Sequence, residues 1–329
     1  MPAEFEPHAA TWMAWPSRPE IWGDDFAAVK ADYARLARTI AHFEPLRMAA
    51  PAASIAEARA ACGDSVQVIE IPIDDSWARD SGPTFLIDGR GATIATAWTF
   101  NAWGGKYHPH DQDALFARRV AAHLQVPVEA SAMVLEGGGI FSDGEGTLVT
   151  TETCLLNTNR NPHMSKAEVE TELRRMLGVH TVIWLPGDPT EVETNGHIDG
   201  LMAFTAPGKA LIEEISDSTD ERFEILRENR RALELAVDAK GRRLELMSIE
   251  EADPSIAVGS RYCRSYVNFY TVNGAVIAPA YGIAADARVE ATLKRAFPGR
   301  CVIMLPIGRI ATGGGGFHCI TQQQPKAAA

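Results

Sequence analysis

What most limits the folds open to this chain is alternation. Short apolar, β-branched runs trade places with capped helical periods from one end to the other. The runs are VQVIEIP at 66, TLVTT at 147, TVIWLP at 181, YVNFY at 266, AVIAP at 275 and CVIMLP at 301. Each has the length and residue types of a strand bounded by turn residues. Helical period is clearest over 26–43, where Phe26, Val29, Tyr33, Leu36, Ile40 and Phe43 fall on one stripe. Ser54 with Glu57, Ser165 with Glu168 and Ser218 with Glu221 fit the capping box, and Gly63, Gly178 and Gly241 stand where helices should end. A further helix is expected over 286–297, closed by Pro298 and Gly299. Strands and helices that alternate throughout predict an α/β protein, and with no linker-like shift in composition one domain is expected over 1–329.

Polar, glycine-rich insertions punctuate these elements: DDSWARDSGP at 74–83, LEGGG at 135–139, ETNGHIDG at 193–200, GSRYCRSY at 259–266 and GGGGFHCITQQQP at 313–325. Taking Asp80, Glu136, His197, Gly259 and Cys319 as landmarks, the successive gaps are 56, 61, 62 and 60 residues. A step that regular is the mark of a repeated structural unit whose residue identities have diverged. One step back from Asp80 lands near Glu20, inside WPSRPEIWGDD. The pattern predicts about five α/β units in a ring, each presenting one loop to a shared centre, with the two chain ends completing one unit together. Four glycines so close to the end of the chain read either as a flexible linker or as backbone that must approach something closely.

Composition narrows the partners. With 31 Lys and Arg against 43 Asp and Glu, the net charge is −12, and no basic face is offered to nucleic acid. No run of apolar residues is long enough for a membrane span. An acidic chain instead suits a small cationic ligand. Five widely spaced cysteines, without a C-x-x-C pair, suggest neither a disulfide framework nor a thiolate zinc site. The opening MPAEFEPHAATWMAWP has no basic segment followed by an apolar core, so a cytoplasmic protein is expected.

If the loops converge, Asp80, Glu136, His197, Asp199 and Cys319 meet. His197 and Asp199 are two apart and share a face when extended, whereas His318 and Cys319 are adjacent and face opposite ways. Cys319 can then serve as nucleophile, His197 as general acid and base, and one carboxylate can orient the imidazole. Two further carboxylates would raise the thiol's pKa, unless the substrate is itself a cation. A planar guanidinium fits: it offers paired N–H donors to two carboxylates and holds its carbon before the sulfur. Taken singly, each residue also has a structural reading, Asp80 as a turn or ion-pair residue and His197 as a loop histidine. A metal site of His197, Asp199 and Glu136 uses the same residue types. No G-K-[ST] follows the glycines, so a phosphate loop is excluded.

The segments MPAEFEPHAATWMAWP, DDSWARDSGPTF, EGGG, LLNTNRNP, NGHIDG, SYVNFY and GGGGFHCITQQQP together resemble the agmatine deiminases, within the bacterial-type peptidylarginine deiminase branch of the guanidino-group-modifying superfamily. The resemblance runs from Met1 to about Pro325, with the motifs in the family's order. It implies a five-bladed α/β propeller (pentein) of ββαβ modules around a central channel. It also implies Cys319 as nucleophile, His197 as proton shuttle, Asp80 and Asp199 as the guanidinium clamp, and Glu136 as partner of His197. Trp77, in the W-A-R-D segment, would pack along the substrate's methylene chain, or else is a core tryptophan. Gly200, after Asp199, departs from the polar residue expected there. The implied reaction hydrolyses agmatine to N-carbamoylputrescine and ammonia through an amidino-cysteine, with no metal or organic cofactor. The implied partner is a small cationic guanidine, and assembly into a homo-oligomer is left open. Another guanidine such as free or peptidyl arginine, amidino transfer to an amine, and a non-enzymatic propeller that binds a partner remain as alternatives.

Overall fold

A computed structural model describes residues 1–327, whose sixteen strands form five small sheets. The first half supplies β1 (His8–Ala14), β2 (Leu46–Ala50), β3 (Val66–Glu70), β4 (Thr84–Ile87), β5 (Thr93–Thr99), β6 (Val128–Val134), β7 (Ile140–Ser142) and β8 (Thr147–Thr151). The second half supplies β9 (Thr181–Leu185), β10 (Met202–Ala206), β11 (Lys209–Glu214), β12 (Glu245–Glu250), β13 (Tyr270–Val272), β14 (Ala275–Ala280), β15 (Cys301–Pro306) and β16 (Thr321–Pro325). The sheet orders are β4-β5-β6, β7-β8-β9, β10-β11-β12, β13-β14-β15 and β16-β1-β2-β3.

One pattern repeats in every sheet. Two strands pair antiparallel, then a helix carries the chain over to a parallel third strand: β4 and β5 are antiparallel, and the helix Phe116–Leu124 leads to β6 alongside β5. The helices Lys166–Leu177, Phe223–Leu235 and Ala285–Ala296 do the same for the next three sheets. In the fifth sheet β16 pairs antiparallel with β1, from His8 opposite Pro325 to Met13 opposite Thr321, and the helix Phe26–Ala41 leads to β2. The ends of the chain are therefore neighbours, and Lys326 N–H donates to the Pro7 carbonyl at 2.8 Å. A strand of threonine, three glutamines and proline is an unusual interior strand, yet all of Thr321–Pro325 is buried. Its amides are used: Trp12 Nε1 donates to Gln324 and Arg79 Nη1 to Gln323.

Local signals account for many boundaries. Val29, Tyr33, Leu36 and Ile40 on the stripe of the first long helix are fully buried in one cluster with Trp15 and Ile310. Ser165 and Glu168 make a complete capping box, and Gly178 closes that helix in a left-handed conformation, with φ of 66°. Two expected boxes are absent. Ser54 already has helical backbone because a 3₁₀ turn precedes it, and Glu57 instead binds Lys30. Ser218 lies in a turn ahead of the helix, which starts only at Phe223. Gly241 belongs to a tight turn at 238–242 built on Asp238, since that helix has ended by Leu235. YVNFY is not a strand as a unit: only Tyr270 enters β13, and the preceding residues run into the site. No helix among the described residues is long and apolar enough to cross a membrane.

Candidate active site

The loops that converge are those that enter the first strand of each sheet. Asp80 lies just before β4, Glu136 before β7, His197 and Asp199 before β10, and Cys319 before β16. The fourth loop contributes Asn268, just before β13. Gly259, the sequence landmark, sits exposed on the periphery, and so does Glu20. The sequence spacing therefore located the repeat, but in the fourth unit it selected a surface turn ahead of the segment that reaches the centre.

Cys319 is buried, with its sulfur 3.5 Å from Asp199 Oδ2 and receiving a hydrogen bond from Asn268 Nδ2 at 3.3 Å. Burial first, then the charges of Asp199 and Asp80, push the thiol well above the ordinary cysteine range. Asp80 is held on both oxygens: Gly138 N–H donates to Oδ1 at 3.0 Å and Trp103 Nε1 donates to Oδ2 at 2.8 Å. Burial raises its pKa, and Asp199 and Glu136 add to the rise. Asp199 is the opposite case. Burial opposes its charge, but His318 Nδ1 at 2.8 Å outweighs that and lowers its pKa. His318 thus faces away from the cleft, as its neighbour's orientation demands, and supports Asp199 from behind. Its other nitrogen lies 2.8 Å from Glu4, which also pairs with the buried Arg79 at 3.1 Å.

His197 points Nε2 at Glu136, 3.4 Å away. Its Nδ1 has no hydrogen-bond partner and lies 3.8 Å from Asp80 and 4.0 Å from Asp199. Burial disfavours the imidazolium, but Asp80, Cys154 and Glu136 outweigh it and hold the pKa well above the usual histidine value. Glu136 is fully buried and would be costly alone. Arg160 compensates, donating Nε to both carboxylate oxygens at 2.8 and 3.1 Å, and is itself fixed by Asn159, Asn195 and the Thr194 carbonyl. Glu136, Cys154 and His197 lie close enough to share a metal ion. The Arg160 guanidinium already occupies both Glu136 oxygens, which makes the trio a poor cation site.

Glycines let these groups close up. A Cβ on Gly138 would lie 2.6 Å from His197 Nδ1, 2.8 Å from Asp80 Oδ1 and 3.0 Å from Asp199 Oδ2. In the C-terminal glycine run, a Cβ on Gly315 would meet Trp77 at 2.5 Å and the Cys319 sulfur at 3.1 Å, while Gly316 and Gly313 press against Asn268 and Trp22. Close approach, not linkage, explains three of the four glycines, and a φ of 96° explains Gly314. Trp77 stacks on Trp22, with centroids 5.8 Å apart, and also walls a slot of about 30 Å³ with Asp80, Trp103, Tyr107, Glu193 and Cys319. Trp77 is thus a packed, buried tryptophan that also lines the slot beside Cys319. A larger cavity of about 250 Å³ adjoins His197, Asp199, Asn268 and Cys319, and it shares Glu193, Gly314, Gly315 and Cys319 with the slot.

Sequence reasoning did not assign Asn268, Arg160, Trp103 or His318. Asn268 and Arg160 lie in SYVNFY and LLNTNRNP, where a polar side chain inside an otherwise apolar or turn-like segment was the available signal.

The profile of the Porphyromonas-type peptidyl-arginine deiminases matches residues 1–325. An agmatine deiminase of Pseudomonas aeruginosa strain LESB58 is 43% identical over 349 aligned residues, covering 99% of this chain and 95% of that one. One of Stutzerimonas stutzeri strain A1501 is 42% identical with the same coverage. The solved agmatine deiminase of Enterococcus faecalis superposes with a TM-score of 0.95 at 34% identity, over 99% of this chain and 95% of that chain. With the fold matched over its whole length by such relatives, the chain belongs to the Porphyromonas-type peptidyl-arginine deiminase family.

Proposed function

We propose that this protein is an agmatine deiminase that hydrolyses agmatine to N-carbamoylputrescine and ammonia, a hydrolase acting on the C–N bonds of linear amidines. Its place is then in making putrescine from arginine-derived agmatine, in the cytoplasm, with residues 1–329 as one domain. The observation that supports this most directly is the pair Asp80 and Asp199 beside a buried thiol and a charged imidazole. Two carboxylates raise the thiol's pKa and are unfavourable until a cation stands between them. Agmatine supplies that cation at the reacting carbon. Its distal ammonium suits Glu193, the acidic residue lining both the slot and the larger cavity. Trp77 and Trp103 suit the methylenes between. Relatives at 42–43% identity named agmatine deiminase support the same substrate.

In the reaction, Asp80 and Asp199 clamp the guanidinium through paired N–H donors. Its charge favours the Cys319 thiolate, whose proton passes to solvent as the cation binds. The sulfur adds to the guanidinium carbon. His197, as imidazolium, gives a proton to one amino group, the C–N bond breaks and ammonia leaves, and an amidino-cysteine that still carries the alkyl chain remains. Neutral His197, oriented by Glu136, takes a proton from water as the oxygen adds to that carbon. The C–S bond then breaks, the sulfur leaves as thiolate, and the ureido product is released. Side chains supply every role, so no cofactor is invoked.

Ammonia release measured across a panel of agmatine, arginine, a peptidyl arginine and methylated arginines tests the substrate. Agmatine should be fastest, with an adduct on Cys319 under rapid quench that Cys319→Ser abolishes. If arginine is faster the substrate is wrong, and if Cys319→Ser retains activity the covalent scheme is wrong.

A further inference from the structure

In the reaction just proposed, ammonia must leave and water must arrive while the tetramethylene chain is still joined to Cys319. That chain lies in the slot between Trp77, Trp103 and Tyr107, whose volume of about 30 Å³ leaves no room for a second molecule to pass. The cavity of about 250 Å³ also reaches Cys319, and it has space for several waters. Its wall includes Ser265 and Glu251, both more than nine-tenths buried. Ser265 Oγ has no hydrogen-bond partner within the protein, whereas Glu251 Oε2 is paired with Arg264 at 3.2 Å. A buried hydroxyl in this condition is satisfied by water. Gly200, next to Asp199, forms part of the same wall, and a Cβ there would meet nothing within 4 Å.

We propose that this cavity is a second-reactant chamber, through which water reaches the adduct, and that the missing side chain at Gly200 keeps it open. The inference rests on the deiminase reading above. A chamber that admits water also admits a small primary amine. The amine nitrogen attacks the amidino carbon and passes a proton to His197, the C–S bond breaks with sulfur leaving as thiolate, and an N,N′-disubstituted guanidine is formed.

The test is agmatine turnover in the presence of excess methylamine, with products and the Cys319 adduct followed by mass spectrometry in wild type, Gly200→Ala and Gly200→Leu. Wild type and Gly200→Ala should yield the N-methylated guanidine beside the ureido product. Gly200→Leu should lose the methylated product, slow hydrolysis about tenfold (about 1.4 kcal/mol in barrier) and accumulate the adduct, because the first half-reaction is spared. Thermal melting checks that it is folded, and Gly200→Val replaces it if it is not. Wild-type hydrolysis and methylation in Gly200→Leu, a slowing of adduct formation itself, or no methylated product from wild type would each overturn the chamber while leaving the deiminase reading intact. If wild type releases no ammonia from any guanidine, the deiminase reading fails and the chamber with it.

Discussion

A single methyl group at Gly138 should separate catalysis from folding. In Gly138→Ala the new carbon would lie 2.6, 2.8 and 3.0 Å from His197 Nδ1, Asp80 Oδ1 and Asp199 Oδ2. Ordinary contact begins near 3.4 Å, so relief needs shifts of roughly 0.4–0.8 Å in three groups together. None is free to swing away. Asp80 is tied to Trp103 and to the Gly138 amide, Asp199 to His318, and His197 to Glu136. Overpacking of this kind costs about 1–3 kcal/mol, which at about 2–4 °C per kcal/mol lowers Tm by roughly 2–12 °C and leaves the protein folded. Catalysis is less forgiving, since a misplacement near 1 Å costs about 100-fold. Ammonia release from agmatine should therefore fall about 10- to 100-fold in kcat, read beside a thermal melt. Turnover within about threefold of wild type, in a variant shown to be folded, would refute the claim that the mutual placement of these three groups sets the rate.

Two more outcomes follow from the same geometry. Glu193→Gln should raise KM for agmatine about tenfold with little change in kcat, as expected for loss of one charge-assisted contact, and should leave a guanidine without the distal ammonium unaffected; equal effects on both compounds would remove Glu193 from amine recognition. Asp113 is pushed up to about 8 by burial and by the neighbouring Asp75 charge, against the Asp74 and Asp75 amides that donate to it. Its folded pKa exceeds its unfolded value, so the folded state holds the proton longer, and stability is lost as pH rises from about 4 through 8. Asp113→Asn should then raise Tm at pH above 8 and change it least near pH 4, and a shift of the same size at both values would show that ionisation at Asp113 is not the cause.

How far the sequence could be read depended on whether the signal was local. The capping box at Ser165 and the stripe from Val29 to Ile40 act within a few residues, and both stand in the structure. The repeat was legible because each unit must return a loop to one centre after one antiparallel pair and one crossover helix. Its phase was less so. The fourth landmark fell on the exposed Gly259, because a turn looks the same in sequence whether it points inward or out, while Asn268 was hidden among the apolar residues Tyr266, Val267, Phe269 and Tyr270. Arg160 and His318 were unassigned for another reason. Their importance lies in partners far away in sequence: Glu136 and Asp199 need them only because burial has made a bare carboxylate costly. Beyond Thr321 the strand TQQQP carries no β-propensity signal, and it exists because β1 offers it a partner.

The same long-range pairs also decide which carboxylates are charged before substrate arrives. Glu136 has His197 and Arg160, and Asp199 has His318, so both have pKa values below normal despite full burial. Asp80 is hydrogen-bonded only by neutral donors, Trp103 and the Gly138 amide, and burial raises its pKa although the His197 charge opposes the rise. The free site therefore holds a neutral thiol and a charged His197 whose positive charge is answered by Asp80 and Glu136. A neutral ligand entering this site would bury Asp80 further and lift the thiol's pKa further. A guanidinium does the reverse to both, since its hydrogens satisfy Asp80 and its charge lowers the barrier to the thiolate. Reactivity and selectivity for a cation thus come from one feature, a clamp carboxylate that faces the His197 charge at 3.8 Å but that no protein cation hydrogen-bonds. Supplying one from the protein would relieve Asp80 but leave the substrate nothing to neutralise, and the thiolate would no longer depend on what is bound.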